Sequence, residues 1–326
     1  MSVQSSPLTD SAKFPATPGL RIGADLGGNH IRLGVLTAEG QLRHFHRENY
    51  AGACDSPANG PALAQQLRGL LQQTLAGNPG VTAIGVAFPG LIQQPAQRIL
   101  KLEHAPGLVG IDLHTELQNA LPVPVHFENS ATAAAFAEMQ TGVAHGVNDW
   151  LYLHIGANVS AGLVLGGQLQ RGKSGLAGAI GEMAIDPEHT GEFVSLESMV
   201  SAENITRRTR RRLERDSTSS LSRLRIMGGF TYDDIIAAAD TGDDLARLML
   251  QRTGKFIGMA IAEVINLLDL SLVAIGGAPA ARRFLVPAIA REVEQRASEL
   301  IYANCQIVPA ELGAEASVIG AALLAG

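Results

Sequence analysis

The chain has 326 residues, 46% of them hydrophobic and 17% charged, which predicts a globular protein long enough for two domains. A net charge of -6 excludes a global basic field for nucleic acid or an anionic membrane. The two cysteines, Cys54 and Cys305, make neither a C-x-x-C pair nor a disulfide framework. Apolar runs are broken by glycine or charge before the roughly 20 residues that a membrane span needs, so the composition points to the cytoplasm and to no membrane partner.

Residues 1–19 are rich in Ser, Thr and Pro, lack a signal-peptide pattern and predict a mobile arm. Order is expected from Leu20. LRIGADLGG reads as a strand ending in a glycine turn, IRLGVLT as its antiparallel return and QLRHFHREN as a third strand. Residues 60–76 carry apolar side chains at helical spacing, with Gly77 as the stop. VTAIGVAFPG is a buried strand, IDLHTELQNAL a short helix, VPVHFEN a strand and SATAAAFAEMQTG a small-residue helix. At Trp150 the pattern restarts: WLYLHIGA, a glycine-bearing turn, then SAGLVLGGQLQRG, a weak sign of internal duplication. Residues 196–215 predict one helix and STSSLSRL a polar loop. Thr231 starts a further helix, and ARLMLQRTGKFIGMAIAEVINLL is a long buried one. LSLVAIGG and CQIVPAEL are the last strands, and ASVIGAALLAG is a closing helix.

Several turns carry residues suited to chemistry. In Asp25-Leu26-Gly27-Gly28-Asn29, two glycines let backbone N–H groups approach phosphate, and Asp25 is a candidate magnesium ligand. Gly156-Ala157-Asn158 and Gly276-Gly277 form similar turns after later strands, and Glu128-Asn129-Ser130 opens the small-residue helix. The histidines show no metal spacing, and Trp150 and Tyr152 are expected at the junction of the domains.

In their order and spacing these turns, with LLDLSLVAIGGAPA and ELGAEASVIGAALLA, resemble the ROK family of repressors and sugar kinases from about Arg21 to Gly326. The resemblance implies an α/β fold of the actin and hexokinase superfamily: two RNase H-like (actin-like ATPase) domains with an inter-domain cleft. It divides the chain into an N-terminal domain of residues 20–127 plus 309–326 and a C-terminal domain of residues 128–308. It also implies Mg-ATP between the two phosphate loops, a sugar deeper in the cleft and a homodimer. No helix-turn-helix is expected within residues 1–19.

The family pattern is broken at the positions that matter to catalysis. Ser130 stands where the family has the aspartate that takes the proton from the attacking sugar hydroxyl, and a Ser hydroxyl is no base near neutral pH. Ala179 replaces a sugar-holding Glu, Glu182 replaces a His that serves sugar and zinc, and His104 stands in place of a sugar-site Asn. Asn129 and Glu197 match the family's sugar site. PEHTGEFVSLE has no cysteine, so no zinc is expected. Asn29, Ala157 and Asn158 alter the phosphate loops, while Asp25, Gly27, Gly28, Gly156, Gly276 and Gly277 fit them.

These departures predict a catalytically impaired or inactive sugar-kinase-like protein that binds a sugar-like ligand or a partner, with Mg-ATP binding weak or absent. The alternative is an active ATP-dependent hexose or amino-sugar kinase, glucokinase-like, with Glu128 or Glu182 as a rebuilt base. A third reading, a nucleic-acid-associated regulator, rests on the arginines between Arg207 and Arg215. The plainer account of those arginines is a solvated helix face with Glu203 and Glu214.

Overall fold

The computed structural model describes residues 19–50, 56–185, 194–215 and 218–326. The expected arm lies outside the described residues except for Gly19, as do Cys54 and most of the cysteine-free segment PEHTGEFVSLE.

The first half of the chain opens with β1 (Leu20–Leu26), β2 (His30–Leu36) and β3 (Leu42–Asn49), an antiparallel meander as expected. It continues through α1 (Gly60–Gly77), β4 (Val81–Phe88), a short hairpin of β5 (Leu91–Gln93) and β6 (Arg98–Lys101), α2 (Leu113–Ala120), β7 (Val125–Asn129) and α3 (Ser130–Thr141). The sheet order is β3-β2-β1-β4-β7, with β4 parallel to both β1 and β7. β1 and β4 are buried almost throughout because helices cover the sheet, whereas the edge strand β3 carries Arg43, His46, Arg47 and Glu48, charge that discourages pairing with another chain.

The second half repeats the plan. Its elements are β8 (Trp150–Ile155), β9 (Val159–Leu165), β10 (Gln168–Leu169), α4 (Leu196–Val200), α5 (Ala202–Leu213), α6 (Leu221–Ile226), α7 (Tyr232–Asp240) and α8 (Asp244–Leu268). They are followed by β11 (Leu272–Gly277), α9 (Pro279–Arg296), α10 (Glu299–Tyr302), β12 (Gln306–Pro309) and α11 (Ala316–Leu324). The order β10-β9-β8-β11-β12 reproduces the first sheet strand for strand, so the duplication read from the two glycine turns extends to the whole topology. α7 begins at Thr231 with a capping box: Thr231 Oγ1 accepts from Asp234 N at 3.3 Å, and Thr231 N donates to Asp234 Oδ2 at 2.8 Å.

Two local expectations are corrected. The single helix over 196–215 is broken at Ser201, whose extended backbone separates α4 from α5 and lets Ala202 N donate to Gly156 O at 2.8 Å. The expected polar loop contains α6. Asp243 accepts from Ser219 Oγ, Ser220 N and Ser220 Oγ, and Leu221 is fully buried, so one carboxylate and one leucine fix a segment that looks polar.

α11 is apolar apart from Ser317 and buried from Ala316 to Leu323, as a helix between layers must be. It packs on β1, β4 and α3. Three glycines permit the approach: a Cβ on Gly23 would lie 1.9 Å from Val318 O, on Gly85 1.9 Å from Ala321 O, and on Gly320 1.7 Å from Ala133 O. Arg21 Nη1 ties the helix down by donating to Leu323 O at 2.9 Å. Trp150 and Tyr152 pack in the same cluster as Leu36 and Ile319, where the two halves meet.

Candidate functional site

The β1–β2 and β8–β9 turns, the two phosphate-loop candidates, face each other. A Cβ on Gly28 would lie 3.0 Å from the Ala157 methyl, so the turns are in van der Waals contact. Their backbone donors are partly engaged: Gly27 N donates to His30 O at 2.7 Å and Gly156 N to Asn158 O at 3.1 Å. The His30 imidazole covers Gly27 and the His154 imidazole covers Gly156, each lying within 2.7 Å of where a Cβ would be. Burial pushes both rings down to about 4, with Arg32 adding to the effect, so near neutral pH neither offers a positive charge to a phosphate. Asn29 Oδ1 is bound to His30 Nδ1 at 2.7 Å. Gly276 and Gly277 serve packing: a Cβ on Gly276 would strike Tyr152 Oη at 2.1 Å, and Gly277 has φ +100 against β8.

Asp25 ends β1 and is 1% exposed. The strand register sets it opposite Arg32, whose guanidinium binds Asp25 Oδ2, Nε at 3.1 Å, while Nη1 donates to Ala314 O at 2.9 Å. Ser130 Oγ donates to the other oxygen, Oδ1, at 2.5 Å. Both carboxylate oxygens are therefore occupied by protein donors. A magnesium ion coordinated directly by Oδ2 would compete with the guanidinium, and the described residues contain no cluster of three His, Cys, Asp or Glu side chains suited to a metal.

Deeper between the halves lies a cleft of about 540 Å³, open solvent included. The turn after β4, the β5–β6 hairpin with Glu103 and the end of β7 contribute one wall, and β9, the 175–182 segment and α4 the other. Asn129, Ala179, Glu182, Glu197 and Asn158 from the sequence reading come together here. Asn129 caps α3, accepting from Ala131 N and Thr132 N, and its Nδ2 donates to Gly90 O at 2.8 Å. Asn158 Nδ2 donates to Pro89 O at 3.1 Å, bridging the two walls. Glu197 Oε2 accepts from Val159 N at 2.6 Å.

Glu128 and His104 lie outside the cleft lining, and Glu182 lies at its rim. Glu128 is 2% exposed and is not part of the cleft wall. Arg171 Nε donates to it at 2.8 Å and Asn129 N at 2.9 Å. Burial acts to raise its pKa, but His126, Arg171 and the Asn129 N–H outweigh that and hold it below the ordinary carboxylate value. Glu182 is exposed at the rim and bound by Lys101 Nζ at 2.6 Å. His104 lies beside the first turn, its Cγ 3.9 Å from a Cβ built on Gly28, with a buried Nε2 that has no partner.

Sequence reasoning missed Glu103. It lines the cleft and binds Lys101 Nζ at 3.0 Å. It also meets Glu197 carboxyl to carboxyl, at hydrogen-bonding distance. Burial, with the Glu103 charge behind it, pushes Glu197 up to about 7 against the opposing Val159 N–H. Lys101 and the bond to Glu197 hold Glu103 below its ordinary value despite its own burial. With Glu197 at about 7, the pair gives up its shared proton around neutrality. The only signal in the sequence was Lys-Leu-Glu, an i, i+2 charge pair indistinguishable from a surface strand.

Residues 21–326 match the ROK family. The chain belongs to that family. This ROK protein is 27% identical over 310 residues to a glucokinase of Halalkalibacterium halodurans, covering 92% of each chain. It is 26% identical to a xylose repressor of Caldicellulosiruptor bescii, covering 93% of this chain and 77% of that one. A ROK family glucokinase from Streptomyces griseus, solved in complex with glucose and AMPPNP, superposes with a TM-score of 0.82 at 23% identity, covering 94% of this chain and 99% of that one. The ROK protein therefore has the actin-like ATPase fold.

Three of the six arginines between Arg207 and Arg215 make internal contacts, and Arg211, Arg212 and Arg215 are exposed. Arg207 donates to Ser198 O, Arg208 to Met199 O and Arg210 to Phe230 O. Arg208 and Arg210 also lie over Phe256 and Phe230.

Proposed function

We propose that this ROK-family, sugar-kinase-like protein binds a sugar-type ligand in the cleft and does not transfer phosphate to it at a kinase rate. The observation that carries this reading is the Ser130 hydroxyl, which stands in place of a base and donates its hydrogen bond to Asp25. Loss of a general base costs on the order of 10²–10⁴ in rate. Neither Glu128, held by Arg171, nor Glu182, held at the rim by Lys101, is free to replace it. The contact between the two glycine turns further supports weak or absent Mg-ATP binding. A sugar-type ligand is supported by the relatives named glucokinase and by Asn129 and Glu197 in the cleft wall.

A coupled assay of the full chain with Mg-ATP, hexoses and N-acetylated hexosamines tests the reading. The expected result is no turnover above background. Robust turnover that Asp25→Ala abolishes would overturn it.

A further inference from the structure

The ionisable groups of the cleft are unbalanced. Glu103, Glu182 and Glu197 line it, and Lys101 is the one cation among the described lining residues. Lys101 is already engaged by Glu103 at 3.0 Å and Glu182 at 2.6 Å. Glu197 is left with one backbone donor, Val159 N, and the carboxyl of Glu103. Two acids placed against each other need either a shared proton or a cation between them.

A second observation in the same cleft points to a hydroxylated ligand. Ser160 lines the wall and is 7% exposed, and its hydroxyl has no protein partner among the described residues. Buried hydroxyls are normally satisfied, so this one is free for an incoming group.

We infer that the cleft selects a free amino sugar, whose primary ammonium bridges Glu103 and Glu197 while Ser160 takes a ring hydroxyl. An ammonium has three donors and a full charge, so it replaces the shared proton and bonds both carboxylates at once. An acetamide in the same place brings one N–H and no charge, and a hydroxyl brings one donor. The inference deepens the sugar-type reading of the cleft and rests on it, but it does not depend on whether phosphate is transferred.

Isothermal titration of the full chain at pH 7 with glucosamine, glucose and N-acetylglucosamine tests it. Glucosamine is expected to bind about tenfold or more tighter than either neutral sugar, the gain of one charge-assisted hydrogen bond. Glu103→Gln and Glu197→Gln should each erase most of that preference, with melting curves confirming that the variants fold. Glucose or N-acetylglucosamine binding as tightly as glucosamine would overturn the inference. So would a preference that survives in both variants, or no glucosamine binding at millimolar concentration. Phosphorylation of glucosamine would instead overturn the non-catalytic reading and leave the amine preference standing.

Discussion

Ser130 Oγ and Asp25 Oδ1 lie 2.5 Å apart although 105 positions separate them in the chain. The contact joins the start of α3 to the end of β1. Ser130→Ala is expected to lower stability by about 1–2 kcal/mol, since hydrogen bonds to charged groups are worth roughly 1.5–3 kcal/mol and the vacated carboxylate oxygen is only partly satisfied by Arg32. Ser130→Asp should cost more, because it sets a second carboxylate against Asp25. Urea denaturation of the three proteins at pH 5 and pH 8 checks both statements. Ser130→Asp alone is not expected to produce kinase activity, because the two glycine turns still touch.

The Glu103–Glu197 pair predicts a pH dependence. Glu197 titrates near 7 in the folded chain against an ordinary value of 4.5, so between those values the folded state holds a proton that the unfolded state has released. This pair's contribution is therefore most favourable below pH 4.5 and is lost as pH rises through 7. Solvent screening reduces the effect to about 1–2 kcal/mol. Glu197→Gln should flatten that part of the stability profile, measured by melting from pH 5 to pH 8. An unchanged slope would remove Glu197 as its source.

Glu128 is buried and depends on Arg171 for its charge. Arg171→Met should destabilise the chain by about 2–4 kcal/mol, somewhat below the 3–5 kcal/mol of a fully buried pair because Arg171 is partly exposed. The folded Glu128 lies below its ordinary value in the native chain, so the stability it supplies is present above pH 4.5 and fades as pH falls. The gap between variant and native protein should accordingly narrow in acid. Denaturation at pH 4 and pH 7 measures it.

Glycine substitutions separate packing from propensity. Gly320→Ala would drive a methyl to 1.7 Å from Ala133 O and should cost about 3 kcal/mol or more, or prevent folding. Gly69→Ala, within α1 and with nothing within 4 Å, should stabilise by about 0.5–1 kcal/mol. Comparing the two melting temperatures is sufficient.

Much of this fold was legible because its local signals agree. The strand–glycine–strand openings at Leu20 and Trp150, the Thr231 cap and the small-residue, mostly apolar closing helix each follow from spacing and turn chemistry. The β5–β6 hairpin was not legible, since Leu-Ile-Gln and Arg-Ile-Leu-Lys are too short to show a period. The break at Ser201 depends on a carbonyl of Gly156 far upstream, and α6 on the distant Asp243. The cleft divides the same way. Asn129, Ala179, Glu182 and Glu197 were found through the family pattern, whereas Glu103 acquires its meaning only when α4 brings Glu197 against it.

α11 closes against a strand that precedes it by almost the whole chain, as the Arg21–Leu323 bond across 302 positions records. A sheet emerging from the ribosome with β1 and β4 in place would still expose one oily face throughout the synthesis of the second half. Assembly of the first half is thus a late event, governed by the arrival of Ala316–Leu324. Any early termination upstream of that helix would release a chain with its first sheet uncapped, an invitation to aggregate rather than a smaller working protein.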